Sequence, residues 1–275
     1  MATLTTIRPP QNAPLFIDFV ELWSYRELFY IFVWRNIKVR YKQTFLGIAW
    51  VVFQPLVSMV VFTIFFGNLA KIPSGNLPYP LFVLCGLTYW TFFSGALSQA
   101  SNSLIENSNI ITKVYIPKIV LPLTAVITSL IDFFISLGLL LAALIYFKQT
   151  PSILALAIVP FGLIVTSISA TGMGLFFSAI NVKYRDVRYV LPFFIQIMVF
   201  LSPVIYGTNI ISPTNKLIMA LNPMTGVIES VRSVIGGSSA INLQLLLIST
   251  VSSVVIFLFG LSIFNKTEKY FADTI

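Results

Sequence analysis

The chain has 275 residues, of which 57% are hydrophobic and only 9% charged, with a net charge of +8. Ordinary globular domains carry about 25% charged residues, so this much apolar side chain excludes a water-soluble fold and leaves a polytopic membrane protein. The cations fall between apolar runs rather than in one basic domain, which argues against nucleic acid as a partner. The single cysteine, Cys85, excludes an intrachain disulfide, and there is no histidine for metal or acid–base work.

The opening residues, MATLTTIRPPQNAP, lack the hydrophobic core of a cleavable signal peptide, and 1–20 read as a disordered lead. Residues 21–44 read as a helix lying in the membrane interface. The stretch WRNIKVRYKQTFLGIAW (34–50) places Arg35, Lys38, Arg40 and Lys42 ahead of a run with no further charge until Lys71. At helical spacing Trp34, Ile37, Tyr41 and Phe45 share one side, with Arg35, Lys38 and Lys42 in an adjacent stripe. Two roles remain open. The cations anchor the helix to anionic lipid, at about 1 kcal/mol each, or Arg35, Lys38, Arg40 and Lys42 dock the anionic headgroup of a lipid-linked cargo.

Six runs are long enough to cross a bilayer, which takes about 20 apolar residues in a helix. They are 45–69, 77–100, 119–147, 152–180, 189–210 and 241–264. Pro73, Pro78 and Pro80 lead into the second. After it, Ser101 or Ser103 is expected to cap a short helix with Glu106 in its first turn, and Pro117 to begin the third span. Asp132 is the only ionisable residue deep in a span. A charge there costs at least about 2.5 kcal/mol on insertion scales, so it must face protein or water. A proton relay needs more titratable groups than this, and a partnered or neutral carboxyl tying helices together is the expectation. The fourth span repeats small residues every fourth position (Gly162, Thr166, Ala170, Gly174, Ser178), a stripe for close helix packing. Between spans five and six, Ser212-Pro213 and Asn222-Pro223 are helix starts and Gly236-Gly237 a helix stop. The segments between them, about 213–221 and 223–235, reach only ~20 Å and read as a re-entrant pair.

Six spans put both termini on one side. Thirteen Lys and Arg residues fall on that side and four, Lys71, Lys148, Lys216 and Arg232, on the other. The positive-inside rule then places both termini in the cytoplasm. The sequence thus reads as one all-α transmembrane domain, 1–275, with six spans, an N-terminal interface helix and a re-entrant helix pair.

Four segments occur in order: RYKQTFLGIAWVVFQPL (40–56), NSNIITKVYIPKIVLP (107–122), NVKYRDVRYVLPFFIQIMVFLSPVIY (181–206) and LNPMTGVIESVRSVI (221–235). In them the chain resembles the permease subunits of ABC-2-type polysaccharide and polyol-phosphate (O-antigen) exporters, over about residues 20–270. The resemblance implies a homodimer enclosing a channel in the bacterial cytoplasmic (inner) membrane. A separate cytosolic ABC ATPase dimer, using ATP and Mg, would drive a lipid-linked polysaccharide through it. Spans one and five would line the channel, nominating Trp50, Phe53, Phe62, Phe193, Phe200 and Tyr206 as rings for sugar faces. The turns at 101–117 and 183–188 would seat in the ATPase, nominating Leu104, Glu106, Ile110, Lys113, Tyr184, Arg185 and Asp186. For the second turn, a solvated cluster that merely sets topology is an equal alternative.

The chain itself reads as a non-enzyme that binds no cofactor or metal. It has no G-x-x-x-x-G-K-[ST] phosphate loop, no metal-ligand cluster and no carboxylate pair at a membrane surface. The alternatives are a teichoic-acid or capsule exporter permease, an ion-coupled secondary transporter resting on Asp132, and a membrane enzyme acting on lipid-linked sugars.

Overall fold

The computed structural model describes residues 19–42, 49–114, 116–184, 186–238 and 240–268. Every regular element in them is helical. Two short helices precede the bundle, α1 (Phe19–Ser24) and α2 (Arg26–Lys42). Phe45 and Gly47, the expected hinge from the interface helix into the first span, lie outside the described residues, as do residues 1–18 of the lead.

Among the described residues five helices are long and apolar enough to cross a membrane. The first, α3 (Ala49–Phe62), continues as a π-helix over Thr63–Leu69. The others are α4 (Tyr79–Glu106), α6 (Val120–Tyr146), α7 (Ala155–Lys183) and α11 (Leu243–Glu268). The run at 189–210 behaves differently from its expectation. Its helix, α8, covers Val187–Leu201, and Ser202–Gly207 are non-helical before a 3-10 turn at Thr208–Ile210. Fifteen residues reach about 22 Å, short of the ~30 Å hydrocarbon core. The helix stops where Pro203 follows Ser202, whose backbone is extended.

The bundle is built around α4. It packs against α6, α7 and α10 (Pro223–Ile235), and against α3 and α8. Leu81, Val83, Leu84, Cys85, Tyr89, Ala96, Leu97, Ala100 and Leu104 on it are fully buried. The small-residue stripe of α7 settles on α4 of the same subunit. All five of its residues are buried. A Cβ on Gly174 would lie 2.6 Å from the Cβ of Ala100, and one on Gly162 3.2 Å from the Tyr89 ring. A second close crossing joins α7 to α11. A Cβ on Gly172 would lie 2.5 Å from the Phe257 Cα, and one on Gly260 would overlap the Gly172 carbonyl oxygen. Only glycine lets two backbones meet this closely.

The linkers also follow local chemistry. Ser101 and Ser103 do not cap a helix. No breaker interrupts the run from Tyr79, so both lie buried inside α4, and Ser103 Oγ bonds back to the Ala100 carbonyl at 2.7 Å. Asn107 ends α4 instead, its Nδ2 donating to the Ser103 carbonyl at 2.7 Å, and a single turn, α5 (Ser108–Ile111), follows. Past α8, the expected pair of short helices forms as α9 (Pro213–Met219) and α10. Asn222 caps α10 by accepting from the Met224 N–H, and Gly236 closes it, followed by Gly237 at φ +77°.

Candidate functional site

The charged residues concentrate where α2 meets the end of α4. The Phe32 side chain is buried there, and the Arg35 guanidinium lies 4.9 Å from the centre of its ring. Arg35 Nη2 donates to Asn107 Oδ1 at 2.5 Å, the same Asn107 that ends α4. Glu106 sits between two cations, in the fields of Arg188 on α8 and Arg35 on α2. Burial pulls the Arg35 pKa below its ordinary value, and Glu106 opposes that shift. Asn102, Ile105, Glu106 and Arg188 line a half-open cavity of about 360 Å³ at this end. Three elements distant in sequence thus converge on Glu106.

Four residues named for headgroup contact lie on α2, in two environments. Lys38 and Lys42 are exposed, and Lys38 Nζ lies 5.3 Å from the centre of the Trp34 ring. Arg35 and Arg40 are half-buried and engaged with the bundle. Arg40 forms an ion pair with Asp132 of α6, and the Tyr41 hydroxyl donates to the other carboxylate oxygen. Burial and this hydrogen bond both push the Tyr41 pKa up. Asp132 is therefore a partnered carboxyl joining α2 to α6. It lies twelve residues past Val120, about 18 Å along the helix.

The residues named for ATPase coupling distribute along the same end. Leu104 is fully buried and packs with Ile111, Val120 and Phe264 in a cluster that Ile110 flanks. Lys113 is exposed in the turn after α5. Tyr184 is 55% exposed, its ring 5.2 Å from Lys183 Nζ, and Asp186 precedes α8. Arg185 lies outside the described residues. Arg188, in the first turn of α8, shares the cavity and acts electrostatically on Glu106, a proximity that spacing along the chain does not show. Asn181 Nδ2 ties α7 to α4 here, donating to the Ser101 carbonyl at 3.0 Å and to Asn102 Oδ1 at 3.1 Å. Lys118 Nζ donates to the Glu268 carbonyl at 2.8 Å, fastening α11 to the start of α6.

The named aromatics divide into two sets. Trp50, Phe53, Phe193 and Phe200 are each more than half exposed, on α3 and α8. Phe62 and Tyr206 are half-buried and pack against the core, and the Tyr206 hydroxyl donates to the Phe200 carbonyl at 2.9 Å. Among the described residues no group of three or more His, Cys, Asp or Glu side chains is placed to hold a metal.

At the opposite end of the bundle, Arg232 is buried rather than a free cation. The positional signal was present in the sequence: an arginine in the apolar stretch of a helix too short to span must find internal partners.

Apolar spanning helices around one buried helix, with a charged cluster at one end, define a multi-pass membrane protein. Residues 27–235 match the membrane family described as ABC-2 type transporter, and the chain belongs to that family. It is similar to the O-antigen export system permease protein RfbA of Myxococcus xanthus, 28% identical over 93% of this chain and 98% of that protein. A Klebsiella pneumoniae protein of the same name is 28% identical over 87% of this chain and 91% of its own length. The Escherichia coli polysialic acid transport protein KpsM is 23% identical over 86% and 91%.

Proposed function

We propose that this chain is the channel-forming permease of an ATP-driven exporter that moves a lipid-linked, O-antigen-like polysaccharide across the bacterial cytoplasmic membrane. It works as a homodimer with a separate cytosolic ABC ATPase dimer, which binds the ATP and Mg. Full-length similarity to export permeases within the ABC-2 family carries this reading. An O-antigen-like cargo is favoured over capsule because the O-antigen relatives reach 27–28% identity and the polysialic acid relatives 22–23%.

In this reading α8 together with Ser202–Ile210 makes the fifth of six crossings, both termini are cytoplasmic, and α9 and α10 are re-entrant from the outside. Among residues 49–69 of the first crossing only Pro55 is buried, which leaves α3 free to face a second copy across the channel. The exposed rings of Trp50, Phe53, Phe193 and Phe200 suit a surface on which sugar C–H faces slide without fixed hydrogen bonds. The basic edge of α2 meets the anionic headgroup, with Lys38 and Lys42 presenting free charge. The Glu106 cluster and the 184–186 turn meet the ATPase.

Copurification with a Walker-motif ATPase, together with ATP-dependent appearance of glycan at the cell surface, tests the assignment. Cysteines placed at Ser74 and Ser238 in a Cys85→Ser background should react with an impermeant thiol reagent from outside intact cells, and one at Ser108 should not. Stable dimers that neither bind an ATPase nor export glycan would refute the reading.

A further inference from the structure

Where α8 stops at Leu201, four successive carbonyls leave the helix ladder, and each receives a side-chain donor. Arg232 Nη1 donates to Pro203 at 2.5 Å and to Tyr206 at 3.1 Å, and Nη2 to Val204 at 2.6 Å. The Tyr79 hydroxyl supplies Ile205 at 2.7 Å. Arg232 Nε is held by the Phe82 carbonyl of α4 at 2.9 Å, and the guanidinium stacks 3.5 Å over the Phe82 ring, which in turn stacks on Tyr79. Gly86, one turn along α4, leaves the space: a Cβ there would lie 2.8 Å from Arg232 Nη2 and 3.1 Å from the Val204 carbonyl.

Non-helical backbone at membrane depth persists only where its polar groups find partners in protein or water. A buried cation likewise needs its donors filled. Among the described residues no carboxylate forms an ion pair with Arg232, so carbonyl dipoles hold its charge, and Glu229 on the preceding turn of α10 adds a field that also favours the cation. The five N–H donors in a planar fork fit this arrangement. The three donors of a lysine ammonium cannot reach the Phe82, Pro203, Val204 and Tyr206 carbonyls together and also stack on the ring.

We propose that Arg232 is the positioning residue of the outlet. It locks 202–207 to α4 and α10 as a fixed lip, so that opening for the glycan takes place between this unit and the second copy, not by unwinding of α8. This rests on the exporter reading, in which this end faces outward.

The test uses the full exporter with its ATPase and a reporter, Ser202→Cys, in a Cys85→Ser background. Ser202 is fully buried at the lip, and its hydroxyl accepts from Asn222 Nδ2 at 2.8 Å. With Arg232 intact the reporter should label slowly with an impermeant thiol reagent, at rest and during ATP turnover alike. Arg232→Lys should raise the rate at least about tenfold per inserted protein, and Gly86→Ala and Tyr79→Phe severalfold. A parent rate in Arg232→Lys, or fast labelling of the parent during turnover, overturns the lip. If Arg232→Lys fails to insert, Tyr79→Phe decides, since it removes one hydroxyl and keeps the ring: faster labelling supports the lip and a parent rate overturns it. A control cysteine at Ser238 separates the readings. Its failure to label from outside overturns the exporter orientation together with the lip. Its normal labelling beside an unchanged reporter overturns the lip alone.

Discussion

Replacing Asp132 by asparagine keeps the shape of the side chain and removes its charge. Tyr41 retains an oxygen to donate to, but Arg40 loses its counter-ion. The two side chains are 33% and 16% exposed, so the pair lies between the exposed and buried limits. Exposed pairs contribute about 0.2–1 kcal/mol, and breaking a buried one costs about 3–5. A cost of about 2 kcal/mol follows for Asp132→Asn, or about 4–8 °C in Tm at roughly 2–4 °C per kcal/mol. Heat denaturation in detergent of Asp132→Asn, Arg40→Gln and the double variant closes a mutant cycle. The double variant should lose less than the sum of the singles, by about 1–2 kcal/mol. Additivity within about 0.5 kcal/mol would mean that the two groups do not interact, and would refute the tie between α2 and α6. The same variant separates a structural carboxyl from a proton relay. At fixed ATP, export by the parent should be indifferent to a protonophore, and export by Asp132→Asn reduced but still measurable. Parent export that collapses with the proton gradient, and vanishes in Asp132→Asn, would restore the relay.

Two further outcomes are expected. Glu106→Arg puts a third cation between Arg35 and Arg188 and should weaken ATPase copurification by about 1 kcal/mol, or about fivefold, while leaving membrane insertion intact; unchanged copurification and export would remove this cluster from coupling. The double variant Lys38→Gln/Lys42→Gln removes the two exposed cations of α2 and leaves the Arg35 and Arg40 contacts in place, so surface glycan per inserted exporter should fall severalfold. Normal export would leave α2 as a lipid anchor.

What the chain by itself determined is what depends on neighbouring residues. Apolar run lengths marked α6, α7 and α11 to within a few residues, because in a bilayer each backbone group must be satisfied within its own helix. Asn222-Pro223 and Gly236-Gly237 bounded α10, because caps act over one turn. What only the tertiary structure decided depends on partners far along the chain. Asp132 is held by Tyr41, 91 residues away, and Arg232 by Phe82, 150 away. The stripe on α7 announced close packing, yet only three dimensions chose α4 as its partner, and Gly172 against Gly260 as the tighter crossing. In the sequence Arg232 falls among the outer charges, because hydropathy weighs a cation by its type. Whether a guanidinium meets water or four carbonyls is settled by where the end of α8 and Gly86 leave room for it.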